Sequence, residues 1–455
     1  MANSHDTMFQ TPLEGNKKDH VLPWSEGELR DLVENKTEGE LKDIAEGKVM
    51  QHTTVKEEDL RQHWLKGYKP LVYDKMMKYP EKIANGQSIA IIQFQYDYKC
   101  NFHCEHCCID KFYVPQNWEK ASGRRKFELE DVRRLGDEAD KMGLANFVIT
   151  GGEPLMLKEY DQLVEAIGPD RFYLVTDSNG WFLDKEKAKH LKKIGIDKVQ
   201  LSLDGASAED HDTFRRAPGS WDKVMKAIDA CKEADLHVIL STCIWKDRIY
   251  TDEWKNFLDF AKEKDVGTYV VYAKPVGAYE GVTDQMMTEK EGKILQQFEE
   301  EYDIFTHMTP SYGRDIGCIA VKRMVPISRY GDVMPCPYQH VSLGNFFEEP
   351  LADIIGRGLN IKWFDPRKNM PCICGVDKGF IENVISESYG DSEVPVRYDR
   401  VFTEDDFVNK SNMGDVKVGS GCGREVETWK NSPAITIKGK KLKEFDPVED
   451  SIKGA

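Results

Sequence analysis

The chain has 455 residues, of which 40% are hydrophobic and 31% charged, and its formal net charge is −16. Such a composition is typical of a soluble globular protein of two to three domains, and the acidic balance argues against nucleic acid or an anionic membrane as main partner. The N-terminus has no apolar signal-peptide core, and no segment has the roughly 20 apolar residues of a membrane span. We therefore expect a cytoplasmic protein with no nucleic-acid and no membrane partner.

Residues 1–87 are predicted to form a mostly helical N-terminal extension. Apolar residues recur there at helical spacing, for example Leu29, Leu32 and Val33. We interpret this extension as a structural cap or a substrate-recognition element. At the other end, residues 393–455 form a polar tail that either covers the preceding domain or partly lacks order.

Residues 88–308 alternate short apolar runs with amphipathic helical segments. This pattern predicts repeated βα units and a parallel sheet curved into a partial (β/α)6 barrel, an α/β fold. The helix periodicity is clearest at Val132, Leu135 and Ala139. The predicted strands are Ile89–Tyr96, Phe147–Thr150, Phe172–Thr176, Lys198–Leu203, His237–Thr242 and Thr268–Ala273.

Three cysteines, Cys100, Cys104 and Cys107, lie within eight residues directly after the first predicted strand. Soft thiolate ligands at this spacing suit an iron–sulfur cluster or zinc. Three protein ligands leave one iron of a four-iron cluster open, which favours chemistry over a purely structural role. The alternative is a structural zinc site with Cys108 as fourth ligand, but adjacent cysteines rarely complete one tetrahedron well.

Short polar residues and glycines follow the next predicted strands, at the sheet edge where ligands bind in such folds. Two adjacent glycines among them allow the backbone to approach a ligand closely, and the carboxylate of the glutamate that follows can accept a hydrogen bond from an ammonium group. The serine hydroxyls and the asparagine amide can bind ribose, but such residues also form ordinary turns. These residues are Gly151, Gly152 and Glu153 after the second strand, Ser178 and Asn179 after the third, and Ser202 and Asp204 after the fourth.

The CxxxCxxC loop and the Gly-Gly-Glu motif, in this order, resemble the signature of the radical S-adenosylmethionine (radical SAM) superfamily. The resemblance implies that the three cysteines hold a 4Fe-4S cluster whose open iron chelates S-adenosylmethionine, and that the Gly-Gly-Glu motif binds the methionine amino group of this cofactor. Asn179 and Ser202 resemble ribose-contacting positions. The stretch that contains Arg215 is similar to SPASM-type members, in which this arginine binds the methionine carboxylate. His106 is expected to shield the cluster or pack on adenine.

A second group of cysteines, Cys318, Cys336, Cys372 and Cys374, falls in residues 309–392. This region resembles the opening of a SPASM or twitch domain, which carries auxiliary iron–sulfur clusters. Four cysteines satisfy one cluster, so we expect a single auxiliary 4Fe-4S cluster. Because the Cys-x-Cys spacing is tight, one of the pair is alternatively a free thiol, and Cys372 is then a candidate hydrogen-atom donor. Cys422 has no assigned role.

The resemblance implies an enzyme that cleaves S-adenosylmethionine to a 5′-deoxyadenosyl radical, which abstracts a hydrogen atom from an unactivated C–H bond. It also implies an electron donor such as flavodoxin or ferredoxin. We expect maturation of a ribosomally made peptide, by crosslinking or epimerisation. The alternative is oxidation, dehydration or epimerisation of a sugar or other small molecule. A non-catalytic iron–sulfur electron-transfer protein or a zinc-binding module is a third hypothesis, but it gives no use to the Gly-Gly-Glu motif or Arg215.

Overall fold

The computed structural model describes residues 65, 67–112, 123–306, 317–365, 372–391, 394–408, 436–437 and 440–441. Most of the predicted N-terminal extension and Cys422 lie outside the described residues.

The strands are numbered in chain order. They are β1 (Ile91–Asp97), β2 (Asn146–Gly151), β3 (Tyr173–Ser178), β4 (Lys198–Ser202), β5 (His237–Ile244), β6 (Thr268–Tyr272), β7 (Ile304–Phe305), β8 (Met324–Ile327), β9 (Asp332–Val333), β10 (Val341–Ser342), β11 (Gly344–Asn345), β12 (Val396–Arg397), β13 (Thr436–Ile437) and β14 (Lys440–Lys441).

The α-helices are α1 (Pro70–Met77), α2 (Tyr79–Ala84), α3 (Leu129–Lys141), α4 (Tyr160–Ile167), α5 (Lys185–Lys193), α6 (Ala208–Arg215), α7 (Ser220–Glu233), α8 (Asp252–Glu263), α9 (Glu289–Glu301), α10 (Leu351–Leu359), α11 (Ile373–Val376), α12 (Lys378–Asn383) and α13 (Tyr398–Val401). Short 3₁₀ turns are found at Asp110–Phe112, Pro154–Met156, Arg248–Tyr250, Gly277–Tyr279, Lys362–Phe364, Ile385–Ser388 and Glu404–Asp406.

Strands β1 to β6 lie side by side in chain order and are all parallel, which confirms the predicted α/β fold. Each of the six predicted strands overlaps one of them. Helices connect successive strands, and the apolar face of each helix packs on the apolar face of the sheet. In α3, for example, Val132, Leu135 and Ala139 are all fully buried, as the periodicity predicted. The carboxyl ends of the six strands therefore meet at one edge of the sheet.

The cysteine-rich C-terminal segment continues the same sheet on the β1 side. Strand β8 pairs parallel with β1, with Ile91 opposite Met324, and β9 and β11 extend the sheet antiparallel. This direct pairing was not foreseen from the sequence, because strands so far apart along the chain leave no local signal. It fixes the position of the C-terminal cysteines relative to the barrel.

Helix α1 covers the amino-terminal end of the strands. Val72, Tyr73 and Met76 pack there with Tyr173 and Val175 in one buried cluster.

A buried ion pair anchors the segment that leads into α1. Lys69, 5% exposed, places its Nζ 2.5 Å from Asp197 Oδ2, and the same ammonium donates to the carbonyls of Phe172 (3.1 Å) and Gly195 (3.0 Å). All three donors of this ammonium are thereby used, as burial of a charge requires.

We predict that Lys69→Met lowers the free energy of unfolding by about 3 kcal/mol, because it leaves Asp197 as an unpaired buried carboxylate. Chemical denaturation of the purified variant would measure the change. Lys185→Met is the matched control: Lys185 pairs with Glu233 on the surface, where both side chains are at least half exposed, and its removal should leave the denaturation midpoint unchanged. Equal losses of unfolding free energy in the two variants would contradict a stabilising role of the buried Lys69–Asp197 ion pair.

Candidate functional site

A cavity of about 370 Å³ lies at the carboxyl ends of β1 to β6. The structure brings most of the predicted site residues together in its wall. They are Cys100, Cys104, His106, Cys107, Gly151, Gly152, Glu153, Ser178, Asn179, Ser202 and Arg215. Asp204 and the four C-terminal cysteines are described but do not belong to this lining.

The cysteine loop presents three thiols to the cavity, with Cys100 exposed and the other two half-buried. Protein N–H groups point at their sulfurs: the Phe102 amide lies 3.4 Å from Cys100 Sγ, and Arg215 Nη1 lies 3.7 Å from Cys104 Sγ. Although the residue is partly exposed, loss of water around its sulfur raises the pKa of Cys100 to about 11, so the metal-free thiol is protonated at neutral pH. Soft donors with N–H partners fit a bound cluster, which stabilises the thiolates that burial disfavours.

The described residues contain no group of three or more His, Cys, Asp or Glu side chains arranged to hold a single metal ion. A four-iron cluster is bound at separate corners, so its cysteines need not converge on one ion.

Gly152 allows the end of β2 to pack directly on the cysteine loop. A Cβ at this position would lie 2.0 Å from the Lys99 carbonyl oxygen, which no side chain tolerates. The Gly152 amide donates to Asp97 O (2.9 Å) and the Glu153 amide to Lys99 O (2.8 Å). The glycine is thus required by protein packing here, in addition to any ligand approach.

The Glu153 side chain is 2% exposed and already bonded to the protein. Oε1 accepts from the Leu155 amide (3.0 Å) and the Ser178 hydroxyl (2.9 Å), and Oε2 accepts from the Asn179 amide (2.7 Å). Burial raises the pKa of Glu153 to about 7, although these hydrogen bonds act against the rise. The carboxylate therefore positions the end of β3, and Oε2, which accepts a single donor here, has room for one more.

Asn179 and Ser202 both line the cavity. Asn179 Nδ2 donates to Asn101 Oδ1 at 2.9 Å and lies 3.9 Å from Cys100 Sγ, so it links the end of β3 to the cysteine loop. Ser202 ends β4 and lines the cavity. Their contacts with a cofactor remain predictions.

Asp204 is 3% exposed and holds Arg215. Its Oδ2 accepts from Arg215 Nε (2.6 Å) and lies 2.5 Å from Nη2, while Oδ1 accepts from the Cys243 amide (2.7 Å). Burial alone would raise the pKa of Asp204, but the Arg215 charge and other nearby groups hold it well below its usual range. Asp204 thus positions Arg215 and is not itself part of the cavity lining, and its role in cofactor binding remains a prediction. Arg215 keeps its Nη1 on the side of Cys104 and the cavity.

His106 packs within an aromatic stack behind the cysteine loop. Its ring lies 4.4 Å from that of Phe214 at an interplanar angle of 13°, and Phe214 stacks in turn on Trp245. Burial, together with the Arg215 charge, lowers the pKa of His106 to about 3, so the ring is neutral. This position fits shielding of the cluster loop; a contact with adenine stays a prediction.

The four C-terminal cysteines are all buried, between 1% and 8% exposed. Cys374 interacts with the thiols of Cys336, Cys372 and Cys318, and the Gln339 side-chain amide lies 3.2 Å from its sulfur. Burial raises the pKa of Cys374 well above its usual value. Four buried thiols gathered in this way, with an N–H donor aimed at one sulfur, fit the ligand set of an iron–sulfur cluster.

This placement bears on Cys372 as a hydrogen-atom donor. Cys372 sits with the other three thiols rather than in the cavity wall, so it is not placed to reach a substrate there. Two further thiols line the cavity: Cys108, considered above only as a fourth zinc ligand, and Cys243, which the sequence analysis had not selected.

Sequence reasoning also missed Asp177, Lys274 and Tyr338 in the cavity wall. Burial raises the pKa of Asp177 to about 7, and its Oδ1 is buried without a hydrogen-bond partner among the described residues. Lys274 follows β6 by two residues, so the rule that selected the earlier post-strand residues would also have found it. Tyr338 comes from the C-terminal segment, and nothing local in the sequence indicates that it reaches the barrel.

Comparison with protein families gives two matches. Residues 97–261 match the Radical SAM superfamily, and residues 318–375 match SPASM, an iron–sulfur cluster-binding domain. The first match contains the cysteine loop, the Gly-Gly-Glu motif and Arg215, and the second contains all four C-terminal cysteines. In the part of the chain that the structure covers, every helix is too short or too polar to cross a membrane.

Among curated proteins, an AdoMet-dependent heme synthase of Nitratidesulfovibrio vulgaris is 22% identical over 329 residues, which is 65% of this chain and 87% of that protein. A probable GTP 3′,8-cyclase of Methanocella arvoryzae is 26% identical over 188 residues, 41% of this chain and 58% of that protein. Among solved structures, SuiB of Streptococcus suis bound to the precursor peptide SuiA has a TM-score of 0.47 and 17% identity, covering 69% of this chain and 70% of that one.

We predict that Glu153→Gln weakens binding of S-adenosylmethionine by about tenfold. The new amide places an NH2 group or a neutral oxygen where the carboxylate accepted three donors, so it holds Asn179 less firmly at the cavity and offers a cofactor ammonium no negative charge, which we expect to cost about 1.4 kcal/mol of binding free energy. Equilibrium dialysis of the anaerobically reconstituted variant would measure the dissociation constant. The control is Glu159→Gln, an exposed carboxylate six residues away, which should bind as the wild type does.

We further predict that the triple variant Cys100→Ala, Cys104→Ala, Cys107→Ala retains about four irons per chain after reconstitution, because the C-terminal cysteines provide an independent ligand set. Colorimetric iron and sulfide analysis would give the count. Cys231→Ala, on the buried face of α7, is the control and should retain the iron content of the wild type. A count near zero in the triple variant would remove the second cluster.

Proposed function

Because the chain belongs to the radical SAM superfamily and carries a SPASM domain, we propose that it abstracts a hydrogen atom from a C–H bond of a peptide bound in the cavity. The observation that carries this proposal is the convergence of the cysteine loop, the Gly-Gly-Glu motif and Arg215 on one cavity. Membership of the family makes the protein an enzyme with 4Fe-4S clusters and S-adenosylmethionine as cofactors. The peptide is our proposal.

When bound, the cluster and S-adenosylmethionine supply a 5′-deoxyadenosyl radical. Cys100, Cys104 and Cys107 would hold the cluster at the cavity wall. Arg215, fixed by Asp204, offers its free edge to the methionine carboxylate, and this buried ion pair keeps the guanidinium in place before the cofactor arrives.

The protein must also keep water and competing reactions away from a reactive species. Phe102, 6% exposed, packs edge-on against Trp181 at 5.7 Å and covers one side of the cysteine loop. The His106–Phe214–Trp245 stack covers another. We assign these aromatic groups the task of excluding water from the cluster loop. An external donor such as flavodoxin or ferredoxin would supply the electron.

Two features support a peptide substrate. Met156 and Phe182, which follow β2 and β3 at the carboxyl ends of these strands, remain 39% and 38% exposed. Apolar side chains exposed on this face of the sheet suit contact with a substrate that extends beyond the cavity. In addition, residues 1–64 include amphipathic patterns that a leader peptide could contact. The reaction would then be crosslinking or epimerisation of the bound peptide.

A small-molecule substrate is the second candidate. The curated relatives reported above are named as a heme synthase and a GTP cyclase, and the first of them is covered over 87% of its length. Under this alternative the reaction would be an oxidation, dehydration or epimerisation of a natural-product or sugar-like intermediate.

We predict that the reconstituted wild-type protein, with dithionite and S-adenosylmethionine under anaerobic conditions, releases 5′-deoxyadenosine, and that the triple Cys→Ala variant at 100, 104 and 107 releases none. Liquid chromatography with mass detection would quantify the product. Cys231→Ala should retain wild-type release. No product from wild type that contains its full iron complement would contradict the radical activity.

The substrate class is tested separately. A short peptide encoded beside the gene should raise 5′-deoxyadenosine release above the substrate-free rate and leave a peptide of altered mass, or of altered configuration detected by deuterium uptake from D₂O. If such peptides have no effect and a small-molecule intermediate from neighbouring enzymes gives the stimulation, the peptide proposal is wrong and the second candidate holds.

A further inference from the structure

Lys274 is a buried cation in the cavity wall, 5% exposed and two residues beyond the end of β6. Its Nζ donates to the Tyr272 carbonyl oxygen at 2.6 Å and lies 5.2 Å and 4.8 Å from the ring centroids of Tyr272 and Tyr338. No carboxylate in the described part of the chain forms an ion pair with it. Lys69, equally buried, is instead paired with Asp197 and bonded to two carbonyls.

A buried ammonium without a counter-ion is unfavourable, so Lys274 requires an anion that the protein residues alone do not provide. The four-cysteine group lies on one side of it. A Cβ placed on Gly375, next to Cys374 in α11, would be 3.4 Å from Lys274 Nζ. Tyr338, whose ring centroid lies 4.8 Å from the ammonium, follows Cys336 by only two residues, so Lys274 lies beside the chain segments that carry both Cys336 and Cys374.

We propose that Lys274 is the counter-charge of the auxiliary cluster and raises its reduction potential. A cluster ligated by four thiolates is anionic, and it becomes more negative by one charge when it accepts an electron. A nearby fixed cation therefore stabilises the reduced state more than the oxidised one. Lys274 is thus a positioning residue that acts through the cluster. The inference rests on the auxiliary cluster being bound by these four cysteines.

Gln339 supports the same interpretation by a second contact. It is fully buried, and its Nε2 lies 3.2 Å from Cys374 Sγ. A hydrogen bond to a ligating sulfur also stabilises added negative charge. The cluster site therefore has a hydrogen-bond donor from the C-terminal segment and a cation from the barrel, and the barrel residue also lines the cavity.

The test uses full-length protein carrying Cys100→Ala, Cys104→Ala and Cys107→Ala, so that the auxiliary cluster is the iron centre observed. Its midpoint potential is measured by redox titration followed by electron paramagnetic resonance. We expect Lys274→Met to shift the midpoint to a more negative value, Lys274→Arg to remain near the parent value, and Lys185→Met, far from the cluster on α5, to leave it unchanged. Gln339→Leu should shift it in the same direction as Lys274→Met.

An unchanged midpoint in Lys274→Met, with the iron content and thermal midpoint of the parent, overturns the inference and leaves Lys274 to bind an anionic group of the substrate. If Lys274→Met does not bind the cluster, the midpoint potential of Lys274→Gln is measured instead, and an unchanged value again overturns the inference. If both neutral variants lose the cluster and Lys274→Arg retains it, the result supports Lys274 as the counter-charge. No iron in the parent triple variant would remove the auxiliary cluster itself. That result is distinct from failure of the proposed function, which 5′-deoxyadenosine release tests in the chain with Cys100, Cys104 and Cys107 intact.

Discussion

The buried carboxylate of Glu153 is the interaction on which the cavity depends. It joins the end of β2 to the end of β3 through the Leu155 amide, the Ser178 hydroxyl and the Asn179 amide. Asn179 in turn reaches the cysteine loop through Asn101. Because the amide of Glu153 is itself bonded to Lys99 O, one residue couples two strand ends to the loop that bears the thiols. A buried carboxylate is stable only when its oxygens accept hydrogen bonds, so the three donors also hold the Glu153 side chain in one position.

Some charged groups around the cavity form an ion pair with another protein group, and others do not. Arg215 is compensated by Asp204, which places a guanidinium beside Cys104 without a net buried charge. Lys274 has no carboxylate partner among the described residues, and Asp177, although hydrogen-bonded to Thr150 and Gln93, keeps its Oδ1 without one; both residues line the cavity. Uncompensated groups are costly to bury, so they point to what binds rather than to what holds the fold together.

The C-terminal segment is part of the barrel's own sheet. Pairing of β8 with β1 sets the distance between the four-cysteine group and the cysteine loop through backbone hydrogen bonds. Tyr338 from this segment and Lys274 from the barrel then meet at the cavity wall. A rigid sheet connection keeps two redox groups and a substrate cavity in a constant arrangement, which transfer of single electrons and hydrogen atoms requires.

The sequence by itself determined the fold class, the order of the six strands and the three-cysteine loop, because hydrophobic periodicity and cysteine spacing are local properties that each segment carries alone. It also selected Asn179 and Ser202 by their position after strands, and Arg215 by the resemblance of its stretch to SPASM-type members. Only the tertiary structure decided that Glu153 and Asp204 bond to protein groups, that Cys372 joins its three partners rather than the cavity, and that Lys274 meets Tyr338. Those outcomes depend on which distant segments pack together and on how buried charges find partners, and neither is encoded in the spacing of residues along the chain.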